Sequence, residues 1–140
     1  MKNKNGFTLV ELLAVITVIA VLLSIATTST VSVLNKGRKR TEKLSAKEYI
    51  TAINDYNFIA KANEKISTTN CDCSQLSANI IKCKVEGSNG LSTIIKESID
   101  GKLPKSGTVN IDKTTNKVVS AKIKVNHYTV NYDNNKYRIN

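Results

Sequence analysis

The sequence predicts an α+β fold, with one long N-terminal helix followed by a small antiparallel sheet of three or four strands. Three observations support this fold. Residues 7–26 form an apolar run, apolar residues then recur every three or four positions as far as Ile66, and short segments of alternating polarity fill the end of the chain. We expect the apolar half of the helix to protrude and the amphipathic half to pack against the sheet.

The helix is predicted to run from about Phe7 to about Ile66. Neither Gly nor Pro interrupts the chain between Arg38 and Ile66. We interpret the apolar stripe of the second half as core rather than as a ligand or nucleic-acid surface, because aromatic residues at helical spacing usually face a core. The stripe consists of Ala46, Tyr49, Ile50, Ile53, Tyr56 and Ala60.

The apolar run is long enough to cross a bilayer, since twenty helical residues span about 30 Å. It contains one acid, Glu11. An ionised carboxylate inside a membrane costs about 2.5 to 3.5 kcal/mol, so something should compensate for it. Two interpretations stay open: Glu11 lies at head-group level near the positive end of the helix dipole, or it has a partner in another chain.

The residues around Glu11 form a recognisable pattern. A short basic segment, Met1 to Gly6, precedes Phe7-Thr8-Leu9-Val10-Glu11-Leu12-Leu13. This pattern resembles the type IV filament superfamily, which includes pilins and pseudopilins. The resemblance implies that a membrane-embedded prepilin peptidase cuts after Gly6, that the new amino group of Phe7 is methylated, and that Glu11 partners the Phe7 amine of a neighbouring subunit during assembly. The implied partners are other copies of the chain, related pilins, an assembly platform in the inner membrane and, before assembly, the lipid bilayer.

The resemblance also implies a division of the chain. Residues 1–6 would be a leader, 7–35 the transmembrane and polymerisation half of the helix, and 36–140 a globular head. The head would comprise the amphipathic helix half 36–66, a loop at 67–107 and the sheet at 108–140. We expect a single-pass protein of the cytoplasmic membrane with its C-terminal part outside, and later a cell-surface filament. The sequence does not distinguish a major from a minor subunit, or adhesion, motility, secretion and DNA uptake.

The chain is strongly basic, with 21 Lys and Arg against 11 Asp and Glu. Five cations form a cluster, hereafter the basic cluster: Lys36, Arg38, Lys39, Arg40 and Lys43. By the positive-inside rule this flank would face the cytoplasm, whereas Lys2 and Lys4 of the leader favour the opposite orientation, which the motif also implies. The cluster leaves a second function open, a bitopic membrane-anchored module that binds DNA or cell-wall polymers. Such an anchor would have no use for Glu11 or for a leader that ends in Gly6.

The predicted strands are Thr108–Asp112, Val118–Val125 and Tyr128–Tyr132, with Tyr137–Ile139 completing the last hairpin. In the middle strand we expect alternate residues to face the helix, namely Val119, Ala121, Ile123 and Val125. A short helix is predicted over Leu91–Ile99, with Ser92 as its cap.

The three cysteines, Cys71, Cys73 and Cys83, lie in one short segment. Cys71 and Cys73 are too close to bridge each other comfortably, so we expect Cys83 to bond one of them and favour Cys73. The alternative is a zinc site with His127 as fourth ligand, but the spacing is not that of a zinc knuckle, and we predict no metal.

No catalytic motif is evident. The sequence contains no Gly-rich phosphate loop, no nucleophile elbow and no convincing triad, and its single histidine lies near the C-terminal strands. We therefore predict neither enzymatic activity nor a cofactor.

Overall fold

The computed structural model describes residues 8–59, 65–99 and 102–140, with the backbone alone for residues 26–29. The chain divides into two units, one ending at Arg38 and the other covering Lys39–Asn140, and helix α1 contributes to both. The helices are α1 (Leu9–Ile59) and α2 (Leu91–Ile94), with a 3-10 turn at Lys96–Ser98. The strands are β1 (Cys73–Gln75), β2 (Ile80–Lys84), β3 (Ser106–Asp112), β4 (Lys117–Lys124), β5 (Thr129–Asp133) and β6 (Lys136–Ile139). The predicted α+β class is confirmed.

The sheet has six strands in the order β1-β2-β3-β4-β5-β6, and each pairs antiparallel with its neighbours. It is larger than the predicted three or four strands, because β1 and β2 lie inside the segment 67–107 that was expected to be a loop.

The turn between β5 and β6 places Asn134 and Asn135 at φ 44° and 65°, a left-handed conformation that asparagine tolerates and that two-residue hairpin turns require.

Helix α1 does not extend to the predicted end at Ile66. Its described residues reach Ile59, and Ile66 is not helical. Instead Ile66 is buried, and its N–H donates to Oδ1 of Asn57 at 3.1 Å rather than to a helical carbonyl. The same Asn57 side chain donates from Nδ2 to the carbonyl of Asn116, at 3.2 Å. The buried amide of Asn57 thus connects α1 to Ile66 and to the turn before β4.

The core of the second unit lies between α1 and the sheet. On the helix, the predicted stripe is buried at Ala46, Tyr49, Ile50 and Ile53. Tyr56 is partly buried against this cluster, while Ala60 lies outside the described residues. Each fully buried isoleucine contributes about 1.5 to 3 kcal/mol relative to an exposed one, so this stripe is what attaches the helix to the sheet.

One inward position of β4 was predicted wrongly. Ala121, Ile123 and Val125 are buried as expected, but Val118 rather than Val119 completes the row. The reason is a bulge, because Asn110 pairs with Ser120 whereas the next residue of β3, Ile111, pairs with Val118. The extra residue in β4 reverses the alternation at that point.

Ser92 does not cap the short helix. The N-cap of α2 is Gly90, and no side chain caps it. The hydroxyl of Ser92 lies 3.2 Å from the hydroxyl of Tyr49 and donates to the carbonyl of Pro104 at 3.4 Å. Ser92 therefore gives the buried tyrosine of α1 a polar partner.

Candidate functional site

The start of α1 is closed by a reciprocal pair of side chains. The backbone N–H and the hydroxyl of Thr8 both donate to Oε2 of Glu11 at 2.9 Å, and the N–H of Glu11 donates back to the Thr8 hydroxyl at 3.3 Å. This is a capping box, a threonine at the N-cap and a glutamate three residues later. The capping box was not among the sequence predictions, although the spacing Thr-x-x-Glu is its signature.

The capping box changes the interpretation of Glu11. The carboxylate satisfies donors at the helix terminus that would otherwise be unpaired, which supplies a local reason for an acid at this position. Both bonds from Thr8 end on Oε2, and Oε1 accepts no hydrogen bond from the described residues. One carboxylate oxygen is thus bonded within the chain, and the other has no hydrogen bond from the described residues.

The large apolar side chains that follow are exposed. From Leu9 to Leu34 their exposed fractions lie between 48% at Ile19 and 80% at Leu9, apart from residues 26–29, whose side chains are not described. Such a continuous apolar surface is far larger than soluble monomers tolerate. Helix α1 is long and apolar enough to cross a membrane.

Two hydroxyl groups of this apolar stretch are hydrogen-bonded within the helix. The hydroxyl of Thr17 donates to the carbonyl of Ala14 at 2.8 Å, and that of Ser24 donates to the carbonyl of Val21 at 2.7 Å. Hydroxyls bonded within their own helix need no water, so they do not prevent burial in lipid or between helices. The processing positions Gly6 and Phe7 lie outside the described residues.

The basic cluster is exposed on α1, and the five side chains do not share one environment. Lys36 and Arg38 belong to the first unit and the other three to the second. Nζ of Lys39 lies 5.4 Å above the ring of Tyr128, a cation–π contact within the head. The ammonium group of Lys39 therefore already has an aromatic partner within its own chain.

Glu42 is a structural residue that the sequence analysis did not identify. It is only 5% exposed, and its carboxylate accepts backbone N–H bonds from Asn126, His127 and Tyr128 at 3.0 to 3.3 Å. Burial opposes ionisation, but the three N–H donors outweigh it and hold the pKa of Glu42 below its ordinary value. The side chain fastens α1 to the loop between β4 and β5. It lies four residues before Ala46, so the buried stripe itself could have revealed it.

The cysteines form one disulfide, between Cys73 and Cys83, the pair that the sequence favoured. These residues are register partners in the β1–β2 ladder. Cys71 is reduced and buried, and burial raises the pKa of its thiol to about 11. Of the four zinc ligands considered above, Cys73 and Cys83 are thus oxidised to a disulfide. His127 is exposed, and its backbone N–H donates to the carboxylate of Glu42. Within residues 8–59, 65–99 and 102–140 no group of three or more metal-binding side chains occurs.

The observed features define a class of protein, one with a lipid-compatible N-terminal helix and a disulfide-bonded α+β head. Residues 1–27 match the family model of the prokaryotic N-terminal methylation motif, which is the prepilin-type motif of type IV pilins. No curated protein and no solved structure matches the chain. The motif supports a type IV pilin-like precursor and points to a structural protein.

Proposed function

We propose that the chain is a structural subunit of a type IV pilus or pilus-like filament. In this proposal the leader is removed after Gly6, Phe7 is methylated, the head is exported, and subunits assemble through the N-terminal half of α1. The observation that carries the proposal is the match of residues 1–27 to the methylation motif, together with a helix that begins at Leu9 and exposes its large apolar side chains.

The physical argument begins with the exposed apolar helix, which needs either lipid or other apolar helices around it. Lipid surrounds the helix before assembly, and the apolar helices of other subunits surround it in a filament. An ammonium group at Phe7 of one subunit would be costly alone in such a bundle, and so would the carboxylate of Glu11. Pairing them favours one axial stagger, and Oε1 of Glu11, which accepts no hydrogen bond from the described residues, is an acceptor compatible with that role.

The first experiment is intact-mass analysis and N-terminal sequencing of the full chain from cells with and without a prepilin peptidase. We expect a mature chain that starts at Phe7 and is heavier by one methyl group only when the peptidase is present. Retention of residues 1–6 in both strains, or cleavage near Ala26, would refute the proposal. Filaments sheared from the cells should then contain the mature chain.

A second candidate function rests on the exposed basic cluster. A membrane-anchored module could use these cations to hold DNA or another anionic polymer, without assembling. The two functions separate experimentally, because an anchored module needs no methylated Phe7. Binding of the full chain in detergent to DNA should weaken steeply as salt is raised, and no binding at low salt would exclude nucleic acid as the partner.

A further inference from the structure

The solvent face of α1 within the second unit separates its charges into two grooves. A cationic groove of about 660 Å³ contains Arg40, Lys43 and Lys47, with Tyr132 and Tyr137 of the sheet at its other wall, and no acidic residue lines it. The other residues of its lining are Leu44, Ile50, Thr51, Asn54 and Asn135.

On the opposite side of the same face lies an anionic groove of about 420 Å³ that contains Glu48 and Asp55. Leu44, Lys47 and Thr51 line both grooves and form the ridge between them. The face therefore carries positive charge along one edge and negative charge along the other.

These charges are not neutralised within the helix. Residues three or four positions apart are neighbours on a helix surface, and a solvated helix usually places opposite charges there. Here the positions three and four away from Glu48 and Asp55 hold no cation, while Lys43 and Lys47 are like charges four apart. Among the described residues, the one ion pair is between Lys84 and Asp72 and involves neither groove.

The ridge between the grooves also exposes apolar surface. Leu44 is 58% exposed, and Phe58, two heptads further along the same face, is 89% exposed. Thr51 lies midway between them. An exposed apolar row flanked by cations on one side and anions on the other resembles the edge of a helix that pairs with another helix, where flanking charges select the partner and its alignment.

We propose that this face is a contact surface between copies of the chain, in which the cationic groove of one copy meets the anionic groove of the next. The inference rests on the proposed filament function and names a surface that the N-terminal motif does not. The full chain has a formal net charge of +10, and removal of Lys2 and Lys4 with the leader would leave 19 cations against 11 acids, or +8, so mature copies repel one another at long range and a contact between heads needs local complementarity. Unlike patches on two edges of one face allow a head-to-tail contact, and such a contact can repeat from copy to copy along a filament.

Charge reversal tests the surface in the full chain. Lys43→Glu with Lys47→Glu, and separately Glu48→Lys with Asp55→Lys, should each lower the fraction of mature subunit in sheared filaments by about tenfold or more, because each creates like-charge contacts. The combined four-residue swap restores complementarity and should recover assembly, as should co-expression of the two double variants. Lys122→Glu with Lys124→Glu is the matched control, because these exposed lysines of β4 lie outside both grooves.

Two results would overturn the proposal: unchanged assembly of both double variants, or a combined swap as defective as its parents. If the Lys43→Glu and Lys47→Glu variant assembles normally but no longer binds an anionic polymer, the groove serves that polymer and the copy-to-copy contact is wrong.

Cross-linking separates this proposal from the filament proposal. Two differently tagged copies, one with Lys47→Cys and the other with Asp55→Cys, are oxidised in intact membranes and in filaments. We expect the mixed 47–55 product to exceed both products between identical copies, whether or not filaments form. Cys71 is buried and the other cysteines are bonded, so background coupling should be low. Equal amounts of all three products, or none, would overturn the contact even if filaments form.

Discussion

Replacing Glu42 with alanine would remove the acceptor that fastens α1 to the loop between β4 and β5. Three backbone N–H groups, of Asn126, His127 and Tyr128, would lose their partner in a partly buried place. Hydrogen bonds to a charged group contribute about 1.5 to 3 kcal/mol each, but these share two oxygens and part of the loss is recovered by water. We expect Glu42→Ala to lower the free energy of unfolding by about 2 to 4 kcal/mol in total.

The assay is urea unfolding of the full chain in detergent, followed by near-ultraviolet circular dichroism of the tyrosines. The control is Glu97→Gln, which alters an exposed acid in the 3-10 turn and should change stability by less than about 0.5 kcal/mol. A Glu42→Ala variant as stable as this control would refute the reasoning, because the three bonds would then contribute nothing.

The contribution of Glu42 should depend on pH. Since its pKa is lowered in the folded state from an ordinary value of 4.5, its stabilisation is complete above that value and is lost as the pH falls through the lower, folded pKa. The stability difference between the wild type and Glu42→Gln should therefore be constant near neutral pH and shrink in acid. A stability difference that grows as the pH falls would contradict a lowered pKa of Glu42 in the folded state.

Three further predictions concern the helix start and the cysteines. Glu11→Gln keeps a capping acceptor but loses the charge, so we expect it, like Glu11→Val, to reduce filament yield about tenfold while cleavage after Gly6 continues. Normal assembly of the Gln variant would show that capping alone is needed. Cys73→Ser with Cys83→Ser should lower the free energy of unfolding by about 2 to 3 kcal/mol, since the bond joins residues 10 apart, and an unchanged urea midpoint would contradict this. Cys71 should resist iodoacetamide at about pH 8 until urea unfolds the protein, because its buried thiol has a pKa of about 11, and rapid labelling of the folded chain in a mass spectrum would refute it.

Much of the fold was readable from periodicity. The positions of β3 to β6 follow from alternation, and the buried side of α1 follows from the spacing of Ala46, Tyr49 and Ile53. The two N-terminal strands were missed for different reasons. Cys73–Gln75 is too short and polar to show the alternation of a strand. In the second strand Ile81 and Cys83 do alternate with lysines, but the turn-forming residues around them favoured the prediction of a loop.

The remaining errors come from tertiary structure. The bulge in β4 depends on how two strands register, which one strand's sequence does not contain. The role of Glu42 depends on a loop more than eighty residues away, with a separation of 84 to Asn126. In the candidate site, the motif predicts roles for Glu11 and Phe7, which stay predictions, but the division of charge around Leu44 depends on which helix face the sheet leaves open.

The sheet order has a consequence for how the head is built. Because every strand after β1 pairs with its predecessor, the strands can add one at a time in the order of synthesis, although β3 must follow the connection that contains α2. The Cys73–Cys83 bond belongs to the first hairpin, so oxidation can secure that hairpin before the later strands have formed. The last strand, β6, forms one edge of the sheet, and until it pairs, β5 is the edge that a neighbouring chain could pair with by mistake.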